Sequence, residues 1–144
     1  MSKQYKIFKI FLAIMLFLMC QTAFGQFLYD RSNMTIGKIE SNGYVYNQSN
    51  MNIGRFKSDG VIENRSLMMI GRIMDDGRIV DRSNMTIGRV DKDGTVKDRS
   101  NMTIGRVKPD GYIQDRSQMT IGRAKDVPTS YAAVFFFFHL FEYE

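Results

Sequence analysis

The sequence predicts an all-β, mainly antiparallel protein: β-hairpin repeats of 17 residues arranged radially in a propeller-like ring. Three observations carry that expectation. A Met-x-Ile-Gly word recurs at Met34, Met51, Met68, Met85, Met102 and Met119, always 17 residues apart. A second glycine series, Gly43, Gly60, Gly77, Gly94 and Gly111, follows Asn or Asp with the same period. Glycine falls so often that no helical 3.6-residue apolar period survives across the repeats.

The elements follow in chain order. Lys3, Lys6 and Lys9 open the chain, Ile10 to Met19 is apolar, and Ala23-Phe24-Gly25 has the small-x-small form read by a signal peptidase. Residues 1–25 are therefore expected to be a signal peptide cleaved before Gln26, because a spanning helix needs roughly 20 apolar residues. Met19 is too bulky to precede a lipidated cysteine, so Cys20 is not expected to carry a lipid. Without this segment the chain keeps no thiol, and its net charge falls from +5 to about +2. The basic balance then argues for no nucleic-acid partner. The expected destination is periplasmic, cell-surface or secreted, by the general secretory route.

Residues 26–127 are expected to form the ring. Each unit runs Ile-Gly-Arg-Val, then x-x-Asp-Gly, then x-Val-x-Asp. In Lys108-Pro109-Asp110-Gly111, proline presets the type I turn and glycine takes the left-handed place after it, which is the three-residue hairpin loop with a glycine bulge. Hairpins are expected near 36–46, 53–63, 70–80, 87–97 and 104–114. The strand glycines Gly37, Gly54, Gly71, Gly88, Gly105 and Gly122 read as bulges or close backbone approaches. A bulge would return Val107 to the inner face beside Met102 and Ile104. A lone hairpin is marginal in water, so the units must bury Met, Ile and Val against one another. The half-units at the ends, Phe27 to Ser32 and Met119 to Arg123, are suited to pair and close the ring, which removes sheet edges.

Val127-Pro128 introduces Ala132-Ala133-Val134-Phe135-Phe136-Phe137-Phe138, apolar on every face. Residues 128–144 are expected to pack on the ring, as a helix that Thr129 or Ser130 caps. The other reading of this tail is a docking or membrane-contact segment. The DG-x-V-x-DRS-x-x-x-IGR repeat, the leader and this phenylalanine-rich ending together resemble the five-fold β-flower proteins, exported bacterial repeat domains. The resemblance implies hairpin petals around a central axis. Six Met-x-Ile-Gly words exceed five petals, so the end pair either forms a sixth sector or sits aside.

Catalytic chemistry is thinly supplied. His139 is the only histidine and lies inside the phenylalanine run. Asp91-Lys92-Asp93-Gly94 begins like a calcium loop but lacks the later oxygen ligands. No catalytic, metal or cofactor site is expected, and no enzyme. The candidate interaction ring is the recurring Asp-Arg-Ser-Asn turn: Asp30 and Arg31, Asp81 and Arg82, Asp98 and Arg99, Asp115 and Arg116. Its structural reading has aspartate and serine satisfying turn backbone while arginine pairs with a neighbouring acid. Its functional reading is multivalent capture of a carbohydrate, peptide or anion. The expected function is an exported, non-enzymatic structural or interaction module with a protein or glycan partner. The alternative is a binding protein that uses those loops.

Overall fold

A computed structural model describes residues 2–19 and 26–142. Ser2–Met19 is a helix, α1, and no helix among the described residues is long and apolar enough to cross a membrane. Cys20 and Ala23-Phe24-Gly25, on which the leader assignment rests, lie outside the described residues.

Twelve short strands follow among the described residues. β1 (Gln26–Asp30), β2 (Thr35–Ile39), β3 (Tyr44–Asn47), β4 (Asn52–Phe56), β5 (Val61–Asn64) and β6 (Met69–Ile73) make the first half. β7 (Arg78–Asp81), β8 (Thr86–Val90), β9 (Thr95–Asp98), β10 (Thr103–Val107), β11 (Tyr112–Asp115) and β12 (Thr120–Arg123) make the second. Each strand pairs antiparallel with its chain neighbours, and β1 pairs with β12 through Tyr29↔Arg123 and Asp30↔Gly122. The barrel is therefore closed. The end pair fills a sixth sector, without the connecting loop of the other five and with two register partners instead of three.

Two turn types alternate, one at each end of the barrel. At one rim the Asp-Gly loops, Asn-Gly in the first copy, join β2 to β3 and its equivalents: Gly43 N–H donates to the Glu40 carbonyl, with φ of +89° at Gly43. That is the expected glycine-bulge loop. At the other rim the Asp-Arg-Ser-Asn turns join β1 to β2 and its equivalents. Between them every strand pair of the second kind carries a register shift: Leu28 faces Gly37 and Tyr29 faces Thr35, so Ile36 is the extra residue. The bulge turns Ile36, Gly37 and Ile39 all inward. The same shift recurs at Ile53, Ile70, Ile87, Ile104 and Ile121.

The expected inner face needs one correction. Val107 is buried, as the bulge requires, and Ile104 packs against the core, but the methionines are outside it. Met34, Met51, Met68, Met85, Met102 and Met119 are 53–66% exposed. Each precedes its bulge by two residues and stands beyond the last inward position, at the rim. The core is instead Leu28, Ile39, Val45, Phe56, Ile79, Ile113 and their equivalents.

The tail fills the axis. Helix α2 spans Thr129–Ala133 and continues as a π-helix over Val134–Phe138. Its N-cap is Pro128 and no side chain caps it, so neither Thr129 nor Ser130 plays the expected role. Ala132, Ala133 and Val134 are fully buried, and Tyr131 stacks on Phe56 with ring centroids 4.2 Å apart. Beyond them each strand glycine is a niche for one tail side chain. Phe135 lies over Gly37, Phe136 over Gly122, Phe137 over Gly105 and Phe138 over Gly88; Leu140 and Phe141 take Gly71 and Gly54. Successive tail residues thus step sector by sector around the ring. Six sectors put the niches about 60° apart, whereas an α-helix advances roughly 100° per residue. The wider π turn shortens that step. His139, at φ +49°, is the one residue without a niche.

Among the described residues the core cluster contains none before Leu28, and the ring closes on itself at β1 and β12. Residues 26–142 hence carry a complete core of their own.

Candidate functional site

All six Asp-Arg-Ser-Asn turns stand at the same rim, where the tail also emerges. Each is built by its first side chain. Asp30 Oδ1 accepts the Ser32 N–H at 2.8 Å and the Met34 N–H at 3.0 Å. Asp81, Asp98 and Asp115 repeat both bonds. Asn47 and Asn64 make the same pair with amide oxygens. An acceptor oxygen is all the turn requires, which is why two copies dispense with the charge. The fourth residue takes positive φ, close to +62° in Asn33, Asn84 and Asn101. Asparagine tolerates that left-handed region better than most residues.

The candidate ring therefore divides in two. Asp30, Asp81, Asp98 and Asp115 are half-buried and committed to backbone N–H groups. Arg31, Arg82, Arg99 and Arg116 are exposed. Among the described residues none of these arginines has a carboxylate within ion-pair distance, so the expected pairing with a neighbouring acid does not occur. A fifth arginine, Arg65, holds the same place in the third turn. Salt bridges lie elsewhere, as between Lys97 and Asp91 at 3.1 Å on the barrel wall.

Two recesses open between this rim and the tail. One of about 390 Å³ is lined by Ile36, Asn47, Met51, Arg65, Phe135 and His139. Another of about 600 Å³ is lined by Asp81, Arg82, Ile87, Phe137, Phe138 and Leu140. His139 sits at the mouth of both, its Nδ1 2.9 Å from Glu142 Oε1. Among the described residues no group of three His, Cys, Asp or Glu side chains could hold a metal ion.

The opposite rim differs in kind. Its Asp-Gly loops use Asp76 and Asp93 to accept the Arg78 and Thr95 N–H groups. The Arg78 guanidinium, 2.7 Å from Asp76 Oδ2, holds that carboxyl below the usual carboxylate value. The Thr95 backbone N–H does the same for Asp93.

The rim methionines are what the strand pattern misses, because each shares parity with the inward Ile. The signal that marks them as surface is that the turn and bulge place them outside the inward run.

The fold and this site define a closed β-hairpin repeat ring, plugged on its axis and carrying six like-built turns on one rim. The model of the family described as 5-fold beta-flower protein matches residues 25–140, and the chain belongs to that family. Its ring nevertheless has six sectors. No curated protein and no solved structure matches the chain.

Proposed function

We propose that this chain is an exported, non-enzymatic interaction module: a rigid ring that presents six equivalent turns to a partner. One observation carries the reading. Exposed positions on the Asp-Gly rim have diverged between copies, as Ser41, Ser58, Asp75, Lys92 and Pro109 illustrate. The opposite rim keeps an exposed serine and an exposed methionine in all six copies and an arginine in five. The turn needs the acceptor and the left-handed residue. It does not need Arg or Met. Side chains retained where the fold makes no use of them are suited to an interface. Export rests on the basic start and the apolar run of residues 1–25.

The stability of rim variants tests this. Met85→Ser and Arg82→Gln are expected to leave the melting temperature within about 2 °C, as surface changes do. A large loss would make these side chains structural and refute the module. A second reading, a binding protein for a carbohydrate, peptide or anion, is favoured by the recesses beside Arg65 and Arg82. A thermal-shift screen separates the two. A ligand-dependent shift abolished by Arg82→Ala and Arg99→Ala supports the binding protein, and a flat screen favours the scaffold.

A further inference from the structure

We propose that the methionine-arginine rim seats on the surface of an anionic lipid bilayer, led by the third turn, Leu67-Met68-Met69. The proposal deepens the interaction-module reading and rests on it.

The third turn is the sharpest departure from what the fold requires. Leu67 occupies the left-handed position at φ +63°, where four other copies place Asn and one places Gln. Leucine is strained there, because its Cβ crowds the following carbonyl. It gains nothing in return from packing, being 66% exposed. Met68 is 57% exposed, and Met69, 44% exposed, stands where other copies have Thr or Asn. Three consecutive apolar side chains are thus exposed where this turn runs into β6, Leu67 and Met68 in the turn and Met69 on the first strand position, two to four residues from Arg65. The methionines of the other turns ring the same end of the barrel, so the apolar groups share one broad rim.

Charge on the six turns is segregated by depth, although an exposed carboxylate, Glu142, stands beside Arg65 with His139 Nδ1 2.9 Å from its Oε1. The aspartates turn inward to backbone N–H groups, and the five arginines face outward without partners among the described residues. An outward layer of guanidinium over long apolar arms matches phosphate headgroups over acyl chains. The kind of apolar group also discriminates between partners. Hot spots on protein partners are enriched in Trp, Tyr and Arg, and of these the six turns offer only arginine. This rim offers unbranched, flexible methionine, which conforms to a fluid surface. The strands have four or five residues, against the roughly 9–11 a spanning strand needs, so the barrel would sit on the bilayer rather than through it.

Sedimentation with lipid vesicles tests the proposal. Residues 26–144 are used so that α1 adds no affinity of its own, and the same rim substitutions are compared in the full chain. Vesicles of phosphatidylglycerol mixed with phosphatidylcholine are expected to sediment the protein at low salt; pure phosphatidylcholine is not. Arg65→Gln should weaken association about fivefold, the worth of one basic residue at an anionic surface. Leu67→Asn with Met68→Ser should weaken it at least tenfold while the melting temperature holds or rises, a combination that a purely structural role cannot produce. Equal sedimentation with neutral and anionic vesicles would overturn the lipid surface, as would none with either. So would rim variants that bind normally while Arg55→Gln, Arg72→Gln and Arg89→Gln on the wall abolish binding. If the rim variants stay folded and a soluble glycan or peptide shifts melting through the same arginines, the lipid is refuted and the interaction rim stands. If the rim variants unfold, the module reading falls with it.

Discussion

The glycine niches make a quantitative claim that a single methyl group can test. At Gly122 an added Cβ would lie 2.5 Å from the Tyr29 carbonyl oxygen across the closing seam and 2.5 Å from Phe136 Cε1. Ordinary carbon contacts begin near 3.5 Å, so both neighbours must retreat by about 1 Å. Phe136 can rotate, but the Tyr29 carbonyl belongs to β1, which closes the ring on β12. Overpacking costs about 1–3 kcal/mol, and a fixed backbone obstacle on one side with a packed ring on the other puts Gly122→Ala near the top of that range. Gly37→Ala meets its carbonyl at 2.7 Å and Phe135 at 3.0 Å, so it should cost about half as much. Chemical denaturation followed by circular dichroism reads both. For a domain of this size about 3 kcal/mol corresponds to roughly 12 °C of melting temperature. A double-mutant cycle then isolates the tail's share. Phe136→Leu should return about 1 kcal/mol to the Gly122→Ala protein beyond additivity, by vacating the niche. If Gly122→Ala stays within about 0.5 kcal/mol of the parent, or the cycle shows no coupling, the tail does not occupy the ring as described.

Phe136→Ser, by emptying a niche, should cost about 2–4 kcal/mol in denaturant unfolding; an unchanged midpoint would make the tail an appendage. Leu67→Asn should add about 1 kcal/mol, seen as a melting temperature higher by some 4 °C, because asparagine relieves the left-handed strain; a loss would mean that Leu67 packs. Asp98→Asn should be neutral and Asp98→Ala should cost about 1–2 kcal/mol, since only the alanine leaves the Ser100 and Met102 N–H groups without their acceptor. A charge requirement would instead make the asparagine as harmful as the alanine. Asp76 and Asp93 have lowered folded values, so their contribution is present above the ordinary value of 3.8 and is lost as pH falls through the lowered ones. Unfolding monitored against pH should be flat from neutrality to about pH 4 and weaken below it. By NMR titration Arg78→Gln should move the Asp76 midpoint back up toward 3.8, because the Arg78 hydrogen bond is the largest cause of the shift.

Much of this architecture is legible along the chain because its causes are short-range. Lys108-Pro109-Asp110-Gly111 dictates its loop within four residues, and Gly111 indeed sits at φ +89°. The 17-residue period, unbroken by insertions, demands equivalent places, and equivalence with complementary half-units at the ends implies closure. Even the bulge could be inferred from parity, since Ile104 and Val107 cannot otherwise face the same way. Methionine is where this logic fails. Parity alone puts Met102 beside Ile104, but the turn ends the inward run first, so height along the barrel decides its burial and strand pattern does not encode height. The arginines fail similarly: whether Arg82 meets an acid depends on where that acid's oxygens are already engaged.

The amino-acid sequence by itself determined the five hairpins, their loops and the closed β class, because turn residues and a strict repeat act locally and add up. Only the tertiary structure decided that the end strands make a sixth sector and that each glycine is vacant for one tail side chain. It alone also separated a rim of outward arginine and methionine from one that merely turns the chain. The physical reason is that a niche, an axis and a rim are properties of the closed ring: they appear when residues remote in sequence are brought to one radius and one height.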